Sequence, residues 1–237
     1  MALPQLNDQP KYDLVIPSTK QKVKFRPFLV KEEKVLLMAL ETQDQSIILN
    51  TVVDTIKACV DEEINPKKLT TFDVEYSFLQ IRSKSVGETA KLNFECSECQ
   101  NKNEVVVKID DIQIEVPQLE NIIKINDEIS VEMQWPSFIS VLGDDKLINS
   151  DSTVDQMFAL IRSSIAAIMT DEDRYSTADH TPEELNAFIE SMNAEQFGKI
   201  RTYVEQMPRL QHEIEFVCTG CSSPNTHLVE GMQNFFS

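Results

Sequence analysis

The stretches Phe94-Glu-Cys-Ser-Glu-Cys99 and Phe216-Val-Cys-Thr-Gly-Cys221 decide the fold of this chain of 237 residues. Each contains a Cys-x-x-Cys pair, and the residues on both sides of each pair largely alternate between apolar and polar types, with β-branched or aromatic side chains on one face. This alternation is typical of β-strands. We therefore predict two β-hairpins, at residues 91–109 and 212–229, with a Cys-x-x-Cys pair in the turn of each.

The two hairpins form a local internal repeat, because an asparagine follows the second cysteine of each pair by four positions. In a reducing compartment such pairs more often bind a metal or perform redox chemistry than form stable disulfides. A redox-active pair is activated at a helix N-terminus, whereas strand-like residues flank both pairs here. Four thiolates from two facing turns match the tetrahedral preference of Zn²⁺. This predicts a zinc-ribbon-like site with the ligands Cys96, Cys99, Cys218 and Cys221.

A closed shell of four cysteines has no open coordination position, so the site is expected to be structural rather than catalytic. Two unrelated thiol pairs, or a disulfide within each turn, are the alternatives that the sequence leaves open. The separation of the pairs is unusual, since 118 residues lie between Cys99 and Cys218 and about 15 to 20 is common. A whole subdomain must therefore be inserted between the hairpins. The fifth cysteine, Cys59, continues a helical apolar pattern and is expected in the core.

Composition and charge exclude several classes of function. The chain has 22 Lys and Arg residues against 39 Asp and Glu residues, which gives a formal net charge of −17. A protein this acidic is repelled by phosphate backbones, so nucleic acid is not expected as a main partner. No apolar run approaches the ~18 residues that span a bilayer, and the chain begins without a signal-peptide pattern. We expect a protein that folds in a cytosol without membrane contact.

The sequence contains no recognisable catalytic motif. Glycine-rich phosphate loops, Gly-x-Ser-x-Gly and His-Glu-x-x-His are all missing, and neither cysteine pair has the flanks of a zinc deaminase. We interpret the acidic clusters Asp144-Asp145 and Asp171–Asp173 as solvated loop residues. His180 is expected in a surface loop. His212 and His227 are expected at surface strand positions, although either would also suit the outer shell of the metal.

Outward from the hairpins, the sequence predicts an α+β fold in which helical segments surround β-hairpins. Residues 1–30 are expected to form an extended N-terminal arm or hairpin, and residues 31–237 a single α+β domain with a helical insertion at 136–207. Capping signals at Thr181-Pro-Glu-Glu184, and at Asn193 with Gln196, begin two of the predicted helices. The apolar periodicity predicts helices at 31–41, 45–60, 70–84, 152–169, 182–192 and 194–207, and strands at 112–116 and 129–133.

Three further stretches are distinctive: Arg26-Pro-Phe-Leu-Val-Lys-Glu-Glu-Lys34, Phe78-Leu-Gln-Ile-Arg-Ser-Lys-Ser-Val-Gly-Glu88 and Gly231-Met-Gln-Asn-Phe-Phe236. Together with the two cysteine hairpins, they resemble the baseplate hub proteins of T4-like bacteriophages over nearly the whole chain. One departure is Ser222-Ser-Pro-Asn225, which lacks the glycine or basic residue that often follows such a turn.

The resemblance implies a structural subunit of the central hub of a contractile-tail phage baseplate. Such a subunit is assembled in the host cytoplasm, belongs to a multi-subunit assembly in the virion, and works by contact with other baseplate hub and tail proteins. The resemblance implies no enzymatic activity. It also implies that the four cysteines of the two hairpins, Cys96, Cys99, Cys218 and Cys221, are metal ligands. The residues alone leave two alternatives open, a cytosolic zinc-ribbon adaptor protein and an enzyme with an unrecognised carboxylate site.

The chain ends carry two further expectations. Residues 1–30 contain five Lys or Arg residues against two Asp residues. This arm is expected either to cover the sheet of its own subunit or to engage an acidic surface of a neighbour. Phe235 and Phe236 are expected to be buried, on the body of the subunit or on a partner.

Overall fold

The computed structural model of the protein describes residues 9–232. Over these residues the fold combines helices with small antiparallel sheets, which confirms the predicted α+β class. The chain divides into two compact units. The first unit contains the residues up to Ile64, Phe72–Glu115 and the residues from Arg209 on, and the inserted unit contains Asn65–Thr71 and Val116–Pro208. That residues 31–237 fold as a single domain stays a prediction.

The first unit begins with an antiparallel hairpin, β1 (Tyr12–Val15) and β2 (Lys22–Phe25). Leu14, Val23 and Phe25 of this hairpin are buried, whereas Val15 is exposed. The other edge of β2 is paired too, because the Arg26 N–H donates to the Cys59 carbonyl at 2.9 Å. The described part of the predicted arm is therefore a hairpin within its own unit, whereas engagement of a neighbouring subunit stays a prediction.

Three helices follow, α1 (Val30–Thr42), α2 (Gln45–Cys59) and α3 (Thr71–Val86), within two residues of the predicted bounds. The Arg26 guanidinium donates to Glu32 Oε1 and to the Ala58 carbonyl, both at 2.9 Å. Burial raises the pKa of Glu32. The Arg26 guanidinium and the Leu29 N–H lower it by more, so the pKa lies below its usual value. The ion pair therefore joins the start of α1 to the end of α2. Cys59 is buried at this junction, as predicted, and burial raises the pKa of its thiol to about 11.

The first cysteine hairpin consists of β3 (Thr89–Glu95) and β4 (Lys102–Lys108), and a 3₁₀ turn at Ile109–Asp111 follows it. The prediction of a strand at 112–116 is wrong. Side chains alternate between buried and exposed there, but no strand of the described chain pairs with the segment. Alternating burial by itself does not make a ladder of hydrogen bonds.

The inserted unit contains a four-stranded antiparallel sheet in the order β5-β6-β7-β8. Its apolar side packs with helices around a core that includes Val131, Ile161, Ile165 and Ile200. In chain order the elements are β5 (Ile122–Lys124), β6 (Ser130–Met133), α4 (Phe138–Leu142), α5 (Asp145–Asn149), α6 (Thr153–Ser163), β7 (Ile165–Met169), β8 (Arg174–Ser176), α7 (Pro182–Glu190) and α8 (Ala194–Glu205).

One predicted helix in this unit is wrong in its last third. Instead of continuing to 169, α6 ends at Ser163, and Ile165–Met169 form the strand β7 between β6 and β8. The apolar residues fit both periods, since Ile165 continues the helical spacing while Ile165 and Ala167 also alternate. Pairing on both sides of β7 decides for the strand. The insertion at 136–207 is therefore mixed rather than helical.

Both predicted capping boxes are present. Thr181 Oγ1 accepts from the Glu184 N–H and Glu184 accepts from the Thr181 N–H at the start of α7. Asn193 and Gln196 make the same reciprocal pair at the start of α8. The chain then returns to the first unit through the second cysteine hairpin, β9 (Gln211–Val217) and β10 (Pro224–Glu230). Phe235 and Phe236 lie outside the described residues.

Candidate metal centre

The two cysteine hairpins are structural copies of each other. The strand β9 begins 211 − 89 = 122 positions after β3, and β10 begins 224 − 102 = 122 positions after β4. The registers correspond as well, since Glu95 lies opposite Lys102 in the first hairpin and Val217 opposite Pro224 in the second. The local repeat in the sequence is therefore a repeat in three dimensions.

The turns share the same backbone hydrogen bonds. The Cys96 N–H donates to the Asn101 carbonyl and the Cys218 N–H to the Ser223 carbonyl, both at 2.9 Å. Gln100 and Ser222 hold the equivalent left-handed position, with φ of 59° and 61°. The departure noted in the sequence leaves the turn unchanged, because Ser222 adopts the conformation in which glycine is usual.

The four sulfurs meet between the two turns. Their Sγ atoms all lie within 4.8 Å of one another, and the cysteines are free of disulfides. The short contacts cross between hairpins, since Cys96 Sγ lies 3.6 Å from Cys221 Sγ and Cys99 Sγ lies 3.6 Å from Cys218 Sγ. A tetrahedral zinc site with Zn–S bonds of about 2.3 Å needs sulfurs about 3.8 Å apart. The predicted ligands are thus brought together in an arrangement that could hold a metal ion.

Two asparagines cross from one hairpin to the other beside the sulfurs. The Asn225 side-chain amide donates to Cys96 Sγ at 3.5 Å, and its oxygen accepts from the Ser97 N–H at 3.0 Å. The Asn103 amide donates to Cys218 Sγ at 3.7 Å, and its oxygen accepts from the Thr219 N–H at 2.8 Å. Each asparagine therefore fixes both a thiol and the turn of the opposite hairpin.

The recurrence of Asn103 and Asn225 in the sequence marks them as part of the repeat, but it does not reveal this exchange. The contacts depend on how the two hairpins face each other, which spacing does not specify. Amides that hold metal ligands in place are a common second layer around metal sites.

Backbone N–H groups prepare some of the sulfurs for ionisation. The N–H groups of Cys221 and Gly220 lower the pKa of Cys218 to about 6. The N–H of Cys99 is the first of several donors that lower the pKa of Cys96. For Cys99 the N–H of Asn101 also lowers the pKa, but contacts with the neighbouring sulfurs together raise it. A cation among the four sulfurs would offset the repulsion between neighbouring thiolates. Coordination would therefore deprotonate Cys99 as well.

An aromatic cluster packs the two hairpins together next to the sulfurs. The ring of Phe94 is stacked with those of Phe216 and His227, at centroid distances of 5.9 Å and 5.0 Å. His227 is half-buried in this stack, and among the described residues the metal-binding group consists of cysteines alone. His227 thus packs between the hairpins, and its role as an outer-shell partner of a metal stays a prediction.

The acidic clusters and His180 lie in the inserted unit, whereas His212 is half-buried on β9 of the first unit. Asp144 caps α5 by accepting from the Lys146 N–H and is ion-paired with Arg162, which also donates to Asn186. These side chains line a groove of about 660 Å³. Asp171–Asp173 lie exposed in the turn between β7 and β8, and His180 is exposed as predicted. Over the described residues, no helix is long and apolar enough to span a bilayer.

The fold and the cysteine centre define an α+β protein with a zinc-ribbon-like cluster of four cysteines that could hold a metal ion. The model of a protein family described as T4 bacteriophage base plate protein matches residues 9–237. The chain therefore belongs to this family of phage base plate proteins, which are virion components. No curated protein and no solved structure matches the chain.

Proposed function

We propose that this protein is a structural subunit of the central hub of a contractile-tail phage base plate, and that its cysteine centre holds a structural Zn²⁺. It acts without catalysis, through contacts with other hub and tail proteins during tail assembly in the host cytoplasm. Membership of the base plate family carries the proposal. The stretches Arg26–Lys34 and Phe78–Glu88 resemble the baseplate hub proteins of T4-like bacteriophages, and this resemblance supports the assignment to the hub.

The geometry of the centre supports a structural metal. Four thiolates complete a tetrahedral shell, so no coordination position is left for a substrate or for a reactive water. Asn103 and Asn225 occupy the next layer and tie each turn to the other. Zn²⁺ at this place joins two cysteine pairs that 118 residues separate along the chain.

The surface of α1 supports a role in assembly. Val30, Leu37 and Met38 lie on one side of this helix at helical spacing, and they are 79%, 56% and 57% exposed. Apolar side chains clustered on a surface mark sites of contact with other proteins. In a member of a base plate family, this face is suited to a neighbouring subunit.

The metal is tested by element analysis of the freshly purified protein. We expect one zinc per chain, and we expect Cys96→Ser to lower both the zinc content and the melting temperature because folding and metal binding are coupled. Cys59→Ser is the matched control, since Cys59 is a buried cysteine of the same unit away from the cluster. A wild-type protein without bound metal would contradict the assignment.

The place in the hub is tested by imaging purified tails that carry a small tag on this protein. We expect the tag on the central axis of the base plate. The same tag on a known peripheral base plate protein serves as the control for tag visibility. Density at the periphery, or intact tails that lack the protein, would overturn the hub assignment while leaving the zinc result untouched.

A further inference from the structure

One side of the helix α1 is exposed and largely apolar. The helix buries Glu32, Leu36 and Ala39, which recur at the spacing of one helical face. We call the opposite side, which follows the same spacing, the outer side of α1. It consists of Val30, Lys34, Leu37, Met38 and Glu41. Its three apolar side chains are between 56% and 79% exposed, so the helix offers solvent an apolar strip with two charges.

The two charges lie symmetrically about the apolar centre of the outer side. Lys34 precedes Leu37 by three positions, and Glu41 follows Met38 by three positions. Both charged side chains are exposed. When the outer side is read from its other end, it has the same apolar centre with the two charges exchanged.

Neither charge has a partner in an ion pair within the described part of the subunit. Among the ion pairs of residues 9–232, none includes Lys34 or Glu41. They cannot pair with each other, because seven helical positions separate them by about 10 Å along the axis. Lys31 and Glu33 flank the outer side on opposite edges with opposite signs, so they leave its balance of charge unchanged.

We propose that the outer side of α1 docks on the outer side of α1 in a second copy of this chain. The two helices are antiparallel, and a twofold axis passes between Leu37 and Met38. Leu37 of each copy then lies against Met38 of the other, and Lys34 of each copy lies against Glu41 of the other. Such a contact is isologous, so it closes at two copies.

The occupant is a second copy because the outer side is complementary to itself in the antiparallel arrangement. A parallel arrangement in register would place Lys34 against Lys34 and Glu41 against Glu41. The antiparallel arrangement forms two pairs of opposite charge around one apolar centre. It also places the positive N-terminal end of each α1 beside the negative C-terminal end of the other.

This inference rests on the proposed function in one respect, which is that the exposed surface of α1 is a site of contact with another subunit. The zinc and the position in the hub do not enter it. A protein that binds zinc and lies in the hub but does not dimerise would therefore contradict this inference alone.

The size of the outer side sets the strength of the contact. The 13 residues of α1 form a helix about 20 Å long, and one pair of such helices is small compared with the ~800 Å² per partner of a standard interface. We therefore expect weak dimerisation that depends on concentration. The net charge of −17 opposes it, but at 0.15 M salt the Debye length of about 8 Å screens distant charges more than those in contact.

The test is sedimentation velocity over a concentration series in 0.15 M salt. We expect the average mass of the wild-type protein to rise with concentration toward that of two chains and no further. Lys34→Glu alone, and Glu41→Lys alone, should each weaken dimerisation at least about tenfold, because each replaces two attractive pairs with two repulsive ones.

A mixture of the two single variants tests the symmetry of the contact. A chain with Lys34→Glu and a chain with Glu41→Lys form two pairs of opposite charge with each other, although neither does so with its own kind. The equimolar mixture should therefore regain the dimerisation of the wild type. A chain that carries both reversals should regain it as well.

Two further kinds of variant serve as controls. Lys68→Glu and Glu190→Lys make the same changes of charge at exposed positions of the inserted unit, and they should leave dimerisation unchanged. The double variant Leu37→Ser with Met38→Ser removes the apolar centre, and it should reduce dimerisation below detection. Because both side chains are more than half exposed, this variant should keep the fold.

Circular dichroism and metal content establish that each variant is folded. A wild-type protein that stays monomeric up to its solubility limit would overturn the inference. Dimers that tolerate the single reversals of charge, or a mixture of the two single variants that stays monomeric, would overturn it too.

Discussion

Asn103 and Asn225 lie where a small change in one side chain acts on both halves of the cysteine centre. Each amide contacts a sulfur and a turn N–H of the opposite hairpin. When either amide is lost, one thiol and one turn lose their positioning contact, although all four ligands remain. Substitution of either asparagine therefore tests how the ligands are positioned without changing the ligands themselves.

We expect Asn225→Ala to weaken metal binding by about 10–100-fold, the usual range for loss of a residue that holds metal ligands in place. Asn103→Ala should have a similar effect because the contacts are reciprocal. The measurement is competition with a chromophoric chelator. The control is Asn93→Ala, at an exposed position of β3. Equal affinities in all three variants and the wild type would show that the asparagines only fill space.

Glu75 on α3 is an unusual acid in this fold. Burial raises the pKa of its carboxyl group to about 7, although the Leu210 N–H donates a hydrogen bond to it. The folded state therefore binds a proton more tightly than the unfolded chain, where the pKa is about 4.3. The free energy of unfolding should therefore increase as the pH falls through 7.

Between pH 8 and pH 6 we expect Glu75 to add about 1 kcal/mol to the free energy of unfolding. Urea denaturation of the wild type and of Glu75→Gln over this range isolates the effect, because other titrating groups are common to both. Because glutamine does not ionise, the free energy of unfolding of the wild type should fall relative to that of Glu75→Gln as the pH rises from 6 to 8. A difference that does not change with pH would contradict the raised pKa.

At the scale of elements, the two cysteine turns share one backbone geometry. Each turn has a residue with a β-carbon in the left-handed region, Gln100 in one and Ser222 in the other. This conformation destabilises an L-residue by roughly 1–2 kcal/mol. Glycine avoids that cost but adds freedom to the unfolded chain. The two effects oppose each other, and the conformational strain is the larger one.

Gln100→Gly and Ser222→Gly should each raise the free energy of unfolding by about 0.5 kcal/mol. Chemical denaturation of the zinc-loaded protein measures it. Gln100→Ala is the matched control, because alanine removes the side chain but keeps the β-carbon and should give no gain. A stabilisation of the same size in the alanine variant would locate the effect in the side chain rather than in the backbone.

The elements that the sequence predicts best are those with local signals. The boxes at Thr181 and Asn193 begin their helices as expected, since a capping box needs only residues three positions apart. The cysteine hairpins were predictable for the same reason. In contrast, β7 depends on β6 and β8, which pair with it from both sides. Its residues satisfy a helical spacing as well, so only the tertiary partners decide.

The same division holds for the metal centre. The four cysteines follow from their spacing and from their flanks, and the structure brings them together. The exchanged contacts of the asparagines and the stacking of His227 on Phe94 depend on two hairpins that are distant in sequence. No local pattern encodes the way in which two such hairpins face each other.

At the scale of the whole molecule, removal of the proposed zinc should destabilise the first unit more than the inserted unit. Binding to the folded state alone stabilises it by about 4 kcal/mol when free zinc exceeds the dissociation constant a thousandfold. With chelator, we expect the amides of β3, β4, β9 and β10 to lose protection in hydrogen exchange. The amides of β6 and β7, which lie in the inserted unit, should be the control region. Uniform loss over both units would contradict a local role for the metal.

The position of the inserted unit between the two cysteine hairpins has a consequence for synthesis of the protein. A ribosome adds about 5–20 residues per second, so the 118 residues between Cys99 and Cys218 take about 6–24 s to make. During that time the nascent chain offers two thiols of a four-thiol site, and the whole inserted unit leaves the ribosome before the other two. An ion that needs all four thiols could therefore be captured only after translation has passed Cys221.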